Sequence, residues 1–301
     1  MTGTPQTNTP WAIRRIDTGN SLVFDVAEQG DPGGRELLLL HGFPQTHRSY
    51  DAVAARLTPH GLRLLAPDQR GYSPGARPTE VAAYALTELV GDAVRILDAY
   101  GIESADVVGH DWGAMVGWVL AATRPQRVRT LTAVSVPHPA AMAAAVADES
   151  SGQRERSSYI QLFRQPGKAE ELLLEDEAKR LREIYEPLPD ASAEPHVRAL
   201  SDPAALTAAL SWYRAMRPRE GAHSTAVPPV TVPTTYVWSN RDIAIGRAAA
   251  ELSARHVTGP YRFVELDGIS HWVPDQAPDA LADAILDRIG PPATRPQAQK
   301  P

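Results

Sequence analysis

The sequence predicts an α/β domain: a mostly parallel sheet with helices on both faces, interrupted by a long helical insertion. Three observations carry this. Short apolar runs alternate with helical patterns from Glu36 to Val134. Between Pro137 and Val227 no strand-like run occurs. Strand signals then return at Val232–Trp238 and Tyr261–Glu265. Strands alternating with helices read as parallel crossover units, whose helices cover both sheet faces.

The elements follow in chain order. Residues 1–10 are polar and rich in Thr and Pro, a composition expected to stay disordered. Ile13–Thr18 and Ser21–Glu28 read as paired strands around the turn signal Gly19-Asn20. Glu36–Leu40 is a short apolar run next to glycines, so a buried strand. Tyr50–Leu57 has helical spacing, and Leu62–Ala66 is a second buried strand ending in Pro67-Asp68. Leu86–Tyr100 is an amphipathic helix with Leu89, Val90, Ala93, Ile96 and Leu97 on one face. Ala105–Val108 is a strand, Ala114–Thr123 a helix and Arg129–Val134 a strand. The insertion holds helical stretches at Arg154–Phe163, Ala169–Tyr185 and Pro203–Met216. A helix at Pro278–Ile289 closes the domain, followed by the loose tail PPATRPQAQKP. The expected division is a core of residues 1–136 and 228–301 and a helical cap of residues 137–227.

Composition narrows the function classes. A chain of 301 residues is long enough for a substantial core. Its formal net charge of -6 gives no nucleic-acid footprint. With no cysteine, disulfides, thiolate metal sites and cysteine nucleophiles are excluded. There is no secretory signal pattern at the N-terminus and no apolar run near the ~20 residues of a membrane span. A soluble cytoplasmic protein is the expectation. Lys168, Lys179 and Lys300 are the only lysines, while Arg, Ala and Pro abound, as in a GC-rich bacterial genome.

Ligands of open parallel sheets bind at the carboxyl ends of strands. Four polar clusters sit there: His41-Gly-Phe-Pro44, the segment around Asp111, Asn240-Arg-Asp242, and Ile269-Ser-His271-Trp272. The segment Gly109-His-Asp-Trp-Gly113 joins a strand directly to a helix. Such an elbow exposes its central residue on a strained turn and needs small flanking residues. A serine there would need a base before it could attack. A carboxylate, with an ordinary pKa near ~3.9, is already ionised at neutral pH. It is suited to displacement at a saturated carbon, which leaves an ester on the enzyme, and the base is needed only afterwards, to hydrolyse that ester. The chain order of nucleophile Asp111, acid Asp242 and base His271 is the one this kind of elbow uses. Taken alone, Gly-x-Asp-x-Gly is an ordinary turn composition, and a lone histidine is usually bland. His110 reads as a buried hydrogen-bonding residue beside the nucleophile. His138 stands where the insertion begins and is expected at the substrate pocket, with His41 and Pro44. His47, His60, His196, His223 and His256 show no clustering suited to a metal.

His41-Gly-Phe-Pro44, Asp68-Gln-Arg-Gly-Tyr72, Gly109-His-Asp-Trp-Gly113 and the Asp242 and His271 segments together resemble the epoxide hydrolases of the α/β-hydrolase fold. The likeness runs from about Trp11 to Ile289 and is most specific at HGFPQT and GHDWGA. It implies an α/β-hydrolase core with a cap and an Asp111–His271–Asp242 triad. It also implies an oxyanion hole from the backbone N–H groups of Phe43 and Trp112, with a cis Phe43–Pro44 bond. Two cap tyrosines, Tyr159 in SSYIQLFRQPG and Tyr213 in SWYRA, match the family's epoxide-oxygen donors, whereas Tyr185 matches neither context. Arg70 and Ser73 are expected in structural roles. The implied substrate is a small-molecule epoxide. No cofactor, metal, nucleic acid or membrane is called for, and a homodimer is admissible but not signalled. Haloalkane and haloacetate dehalogenases share the aspartate nucleophile and form the alternative. Many haloalkane dehalogenases carry a halide-binding Asn where Phe43 stands. A non-catalytic binding protein on the same scaffold is a third reading, and the complete set of reactive residues counts against it.

Overall fold

A computed structural model describes residues 10–216 and 227–290. The stretch 1–9, the tail 291–301 and His223 lie outside the described residues. The described strands are β1 (Ala12–Asp17), β2 (Val23–Gly30), β3 (Arg35–Leu40), β4 (Leu62–Pro67), β5 (Ala105–His110), β6 (Val128–Val134), β7 (Thr234–Ser239) and β8 (Tyr261–Leu266). They form one sheet in the order β1-β2-β4-β3-β5-β6-β7-β8. β1 and β2 make the expected hairpin, and β2 runs antiparallel to β4. Every other pairing is parallel.

The leucines of β3 show why both faces must be covered. Side chains alternate along a strand. Leu38 and Leu40 therefore enter one core, with α2 (Leu86–Ala99) and α3 (Trp112–Thr123). Leu37 and Leu39 enter the other, with α1 (Asp51–Leu57) and the C-terminal helix. The predicted apolar face of α2, from Leu89 to Leu97, is buried. α3 is buried on nearly every side, as befits a helix that is apolar all round.

Between β6 and β7 the described residues hold six α-helices and no strand. They are α4 (Pro139–Ala147), α5 (Gln153–Arg156), α6 (Ile160–Phe163), α7 (Lys168–Ile184), α8 (Asp190–Leu200) and α9 (Pro203–Ala215). Beyond β7 come α10 (Arg247–Leu252), α11 (Val273–Gln276) and α12 (Pro278–Ile289). Two stretches expected as single helices are divided. Arg154–Phe163 is broken between α5 and α6, which leaves Tyr159 at the start of a turn of helix. The chain leaves helical geometry at Glu175–Ala178 inside α7, where Glu171 and Glu175 are like charges one turn apart. α8 carries Pro195 inside it, a residue that reads as a helix breaker in sequence.

The insertion is fastened over the carboxyl ends of the parallel strands. The Tyr185 hydroxyl donates to the Pro44 carbonyl after β3, at 2.7 Å. The Trp212 indole donates to the Arg70 carbonyl after β4, at 2.8 Å. The Gln153 amide donates to the Ala244 carbonyl after β7, at 2.7 Å. Arg70 itself is buried in a two-pronged ion pair with Asp92, and the Ser73 hydroxyl accepts from the Asp25 N–H.

Candidate active site

The turn from β5 into α3 brings the strand and helix backbones into contact. A Cβ on Gly109 would collide with the Gly113 carbonyl, and one on Gly113 with the Leu40 carbonyl. Glycine is required at both. Between them Asp111 adopts φ 52°, ψ −119°, a conformation L-residues rarely take. This strained geometry points its carboxylate out of the sheet beneath the insertion.

One oxygen of that carboxylate is held by backbone. Oδ1 accepts the Phe43 N–H at 2.8 Å, and the Trp112 N–H also hydrogen-bonds the side chain. The Phe43–Pro44 peptide is cis. The other oxygen, Oδ2, lies 3.6 Å from His271 Nε2. On the far side of the ring, His271 Nδ1 donates to Asp242 Oδ2 at 2.9 Å. Asp242 Oδ1 accepts the Ala244 and Ile245 N–H groups, at 2.8 and 3.0 Å. The backbone carbonyl of His271 receives His110 Nε2–H at 2.9 Å and the Ser135 hydroxyl at 3.1 Å. His110 thus fixes the backbone of His271.

The electrostatics follow from burial and charge. Burial pushes the Asp111 carboxyl upward, but His271, His110 and the Trp112 N–H together bring it below its ordinary value. Burial lowers the His271 imidazole, yet Asp242 and Asp111 outweigh it and raise the group to about 10. The resting site is therefore an imidazolium between two carboxylates. Neutralising Asp111 removes one of those two anions. An opposite charge at this range is worth about 1–3 pH units. In Asp111→Asn, the His271 pKa measured by NMR titration is accordingly expected to fall by about 1–3 units. An unchanged value would mean that Asp242 alone sets it.

Tyr159 and Tyr213 face Asp111 across the cavity. Their rings meet edge to face, with centroids 6.3 Å apart, and their hydroxyls share a hydrogen bond. The Trp112 indole supports Tyr213 from the side, with ring centroids 5.2 Å apart. Burial raises both phenol pKa values, and the Asp111 charge adds to the effect, so both remain proton donors at neutral pH. Two chambers open on either side of this group. One, of about 310 Å³, is lined by Met115, Met142, Met216, Val146, Ile160 and Ile245. The other, of about 450 Å³, is lined by Phe43, Phe163, Ile184, Pro187, His271 and Trp272. Asp111, Tyr159 and Tyr213 border both. Methionine is unbranched and adaptable, so the first chamber can accommodate varied apolar shapes.

Three residues expected at the pocket lie elsewhere. His41 is fully buried behind the Phe43 turn: Nδ1 donates to the Gly42 carbonyl and Nε2 accepts the Gln69 N–H. Burial lowers its pKa to about 4, so it is neutral, as that bonding requires. Pro44 is buried, and its carbonyl anchors Tyr185. His138 caps α4, accepting the Ala140 N–H, and stacks on His256 with ring centroids 4.6 Å apart. All three shape the scaffold around the cavity. Conversely, Gln153 braces the Asp242 loop without a sequence signal. Gln153 meets Ala244 from 91 positions away in the chain, and no spacing rule pairs them. Among the described residues no group of three or more His, Asp or Glu side chains is arranged to hold a metal ion. No described helix is long and apolar enough to cross a membrane.

The α/β hydrolase fold family model matches residues 36–278. Epoxide hydrolase A of Mycobacterium tuberculosis is 32% identical, over 91% of this chain and 96% of its own. The AB hydrolase superfamily protein YfhM of Bacillus subtilis is also 32% identical, over 90% of this chain and 95% of its own. Among solved structures, one from work on novel epoxide hydrolases in metagenomes from hot environments superposes with a TM-score of 0.82 at 29% identity. That match covers 94% of this chain and 99% of the other. Epoxide hydrolase A from Mycobacterium thermoresistibile gives a TM-score of 0.80 at 27% identity, over 93% and 98% of the two chains.

Proposed function

The chain belongs to the α/β-hydrolase family, among its epoxide hydrolases, and from that membership we propose that it opens an epoxide to a vicinal diol through an ester on Asp111. The observation that carries the reading is the placement of two tyrosines over the same cavity as a carboxylate nucleophile. An epoxide has a poor leaving oxygen that must be protonated, and it is attacked at a saturated carbon. A paired acid and an ionised carboxylate meet those two needs together.

Tyr159 and Tyr213 hydrogen-bond the epoxide oxygen. Asp111 Oδ2 attacks a ring carbon, the C–O bond breaks, and a tyrosine gives its proton to the alkoxide. Asp111 is then a neutral ester, so His271 loses one of the two anions that held its proton. That proton returns, through water in the cavity, to the tyrosinate. Neutral His271 next takes a proton from water, whose oxygen attacks Asp111 Cγ. The resulting oxyanion forms on Oδ1, which the Phe43 N–H already reaches, and the Trp112 N–H hydrogen-bonds the same carboxyl group. Collapse expels the diol oxygen, which takes its proton from the new carboxyl group. Asp111 is again a carboxylate and His271 again an imidazolium.

The cap assignment, residues 137–227, is part of this reading. It supplies both tyrosines and most of the walls of the chambers. Two chambers flanking the reacting atoms suit an epoxide with an apolar substituent on each side.

Styrene oxide with excess enzyme in heavy-oxygen water tests the reaction. In a single turnover the diol is expected to be unlabelled and Asp111 to carry the heavy oxygen, because water attacks the ester carbonyl. Labelled diol in the first turnover would exclude the ester. No diol from any epoxide tried would exclude the activity.

A further inference from the structure

The dyad of Asp242 and His271 stands on a loop, and that loop is held from the cap. Asp242 Oδ2 carries the His271 Nδ1 hydrogen bond, so the angle of its carboxylate sets the direction of the imidazole. The other oxygen is fixed by the Ala244 and Ile245 N–H groups. The position of the carboxylate therefore depends on where the peptides of residues 242–246 lie. These peptides are not secured by sheet pairing, because β7 ends at Ser239.

Side chains secure them: the Trp238 indole donates to the Ile245 carbonyl at 3.2 Å, and Gln153 alone bridges two of the peptides. Gln153, 1% exposed, donates Nε2–H to the Ala244 carbonyl at 2.7 Å and accepts the Gly246 N–H on Oε1 at 2.8 Å. The same amide donates to the Ser157 hydroxyl at 3.0 Å. Arg156, from the same turn of helix, donates to the Asp242 carbonyl at 2.9 Å. Removing the Gln153 amide would leave a buried N–H and a largely buried carbonyl without partners. Such groups cost more than an ordinary hydrogen bond returns, and the loop would shift to regain partners. A small displacement there rotates the Asp242 carboxylate and with it His271.

We infer that Gln153 is a positioning residue for ester hydrolysis: the cap supplies the splint that aims the Asp242–His271 dyad at the Asp111 ester. Tyr159, six residues further on, belongs to the same short segment. A single stretch of cap thus bears on both half-reactions, presenting the proton donor for ring opening and holding the base for hydrolysis. The inference rests on the two-step reading proposed above.

The test is Gln153→Met, which keeps the length of the side chain and removes its hydrogen bonds to Ala244, Gly246 and Ser157. Glu155→Gln, on the exposed side of the same helix, is the control. Rapid-quench mass spectrometry with styrene oxide follows ester formation and ester decay separately. In Gln153→Met, ester formation should stay near the wild-type rate while decay slows by roughly tenfold to a hundredfold, the cost of misplacing a reacting group by a fraction of an ångström. The ester should accumulate. Equal slowing of both steps, or no slowing of either, would overturn the inference. A second readout needs no substrate. The proton NMR signal of His271 Nδ1–H in the free enzyme reports its bond to Asp242, and it should move in Gln153→Met but not in Glu155→Gln. An unmoved signal overturns the inference. A moved signal in a protein that turns over no epoxide would leave the positioning role standing and bring down the hydrolase reading instead.

Discussion

His271→Gln is expected to turn the protein into a single-use trap that opens an epoxide and stalls as the ester. The reason lies in which step needs the imidazole. In the proposed reaction Asp111 attacks as the anion it already is, and the tyrosines supply the proton. Neither event draws on His271 as a base. Water attack on the ester does. Losing a positioned base costs about 10²–10⁴ in rate. Steady-state diol production should fall by that amount, and protein mass should rise by the mass of one styrene oxide, mapped to Asp111. The variant should also behave differently with pH. Burial is the largest influence on the Asp111 carboxyl and pushes its pKa up, while His271 pulls it down. Without the imidazolium the carboxyl rises and is protonated at higher pH than in the wild type. Ester formation in the variant should therefore fade on acidification at a pH where the wild type still reacts. Intact-mass spectrometry across pH reads both effects. Diol production at the wild-type rate would remove His271 from the mechanism.

Much of this site was legible in the sequence, and the physical reasons are specific. The elbow shows because Gly109 and Gly113 admit no side chain, so their spacing around Asp111 is a steric requirement written in residue types. β3 and β5 show because strands buried on both faces are continuous apolar runs. Asp242 and His271 follow from chain order at strand ends. Tyr159 and Tyr213 rested on the resemblance, since a helical tyrosine carries no signal by itself. What stayed hidden depends on tertiary contact. His41, Pro44 and His138 sit in polar or proline-rich motifs next to the site, and the motif does not say which way a side chain turns. His41 turns inward to Gln69, and His138 turns to cap α4. Helix α8 was hidden by Pro195, and α4 by a run of alanines with no periodicity to read. Gln153 acts through peptides far along the chain, which only the folded arrangement brings to it.

Removing both phenol hydroxyls should separate epoxide opening from halide displacement on the same nucleophile. Tyr159→Phe with Tyr213→Phe keeps the edge-to-face contacts of the two rings with Phe163 and with each other, so the cavity retains its shape. What is lost is the acid. An alkoxide leaving without a proton is a far worse leaving group than one that receives it, and a positioned acid contributes about 10²–10⁴. Ester formation from styrene oxide should fall by that factor in the double variant. A halide leaves as an anion and needs no proton, so any slow alkylation by a haloalkane should be spared. Rapid-quench measurement of ester formation in a His271→Gln background isolates this step from hydrolysis. If the double variant opens styrene oxide as fast as its parent, the tyrosines are packing residues. The reading would then pass to the dehalogenases, which need the same Asp111 but no acid above it.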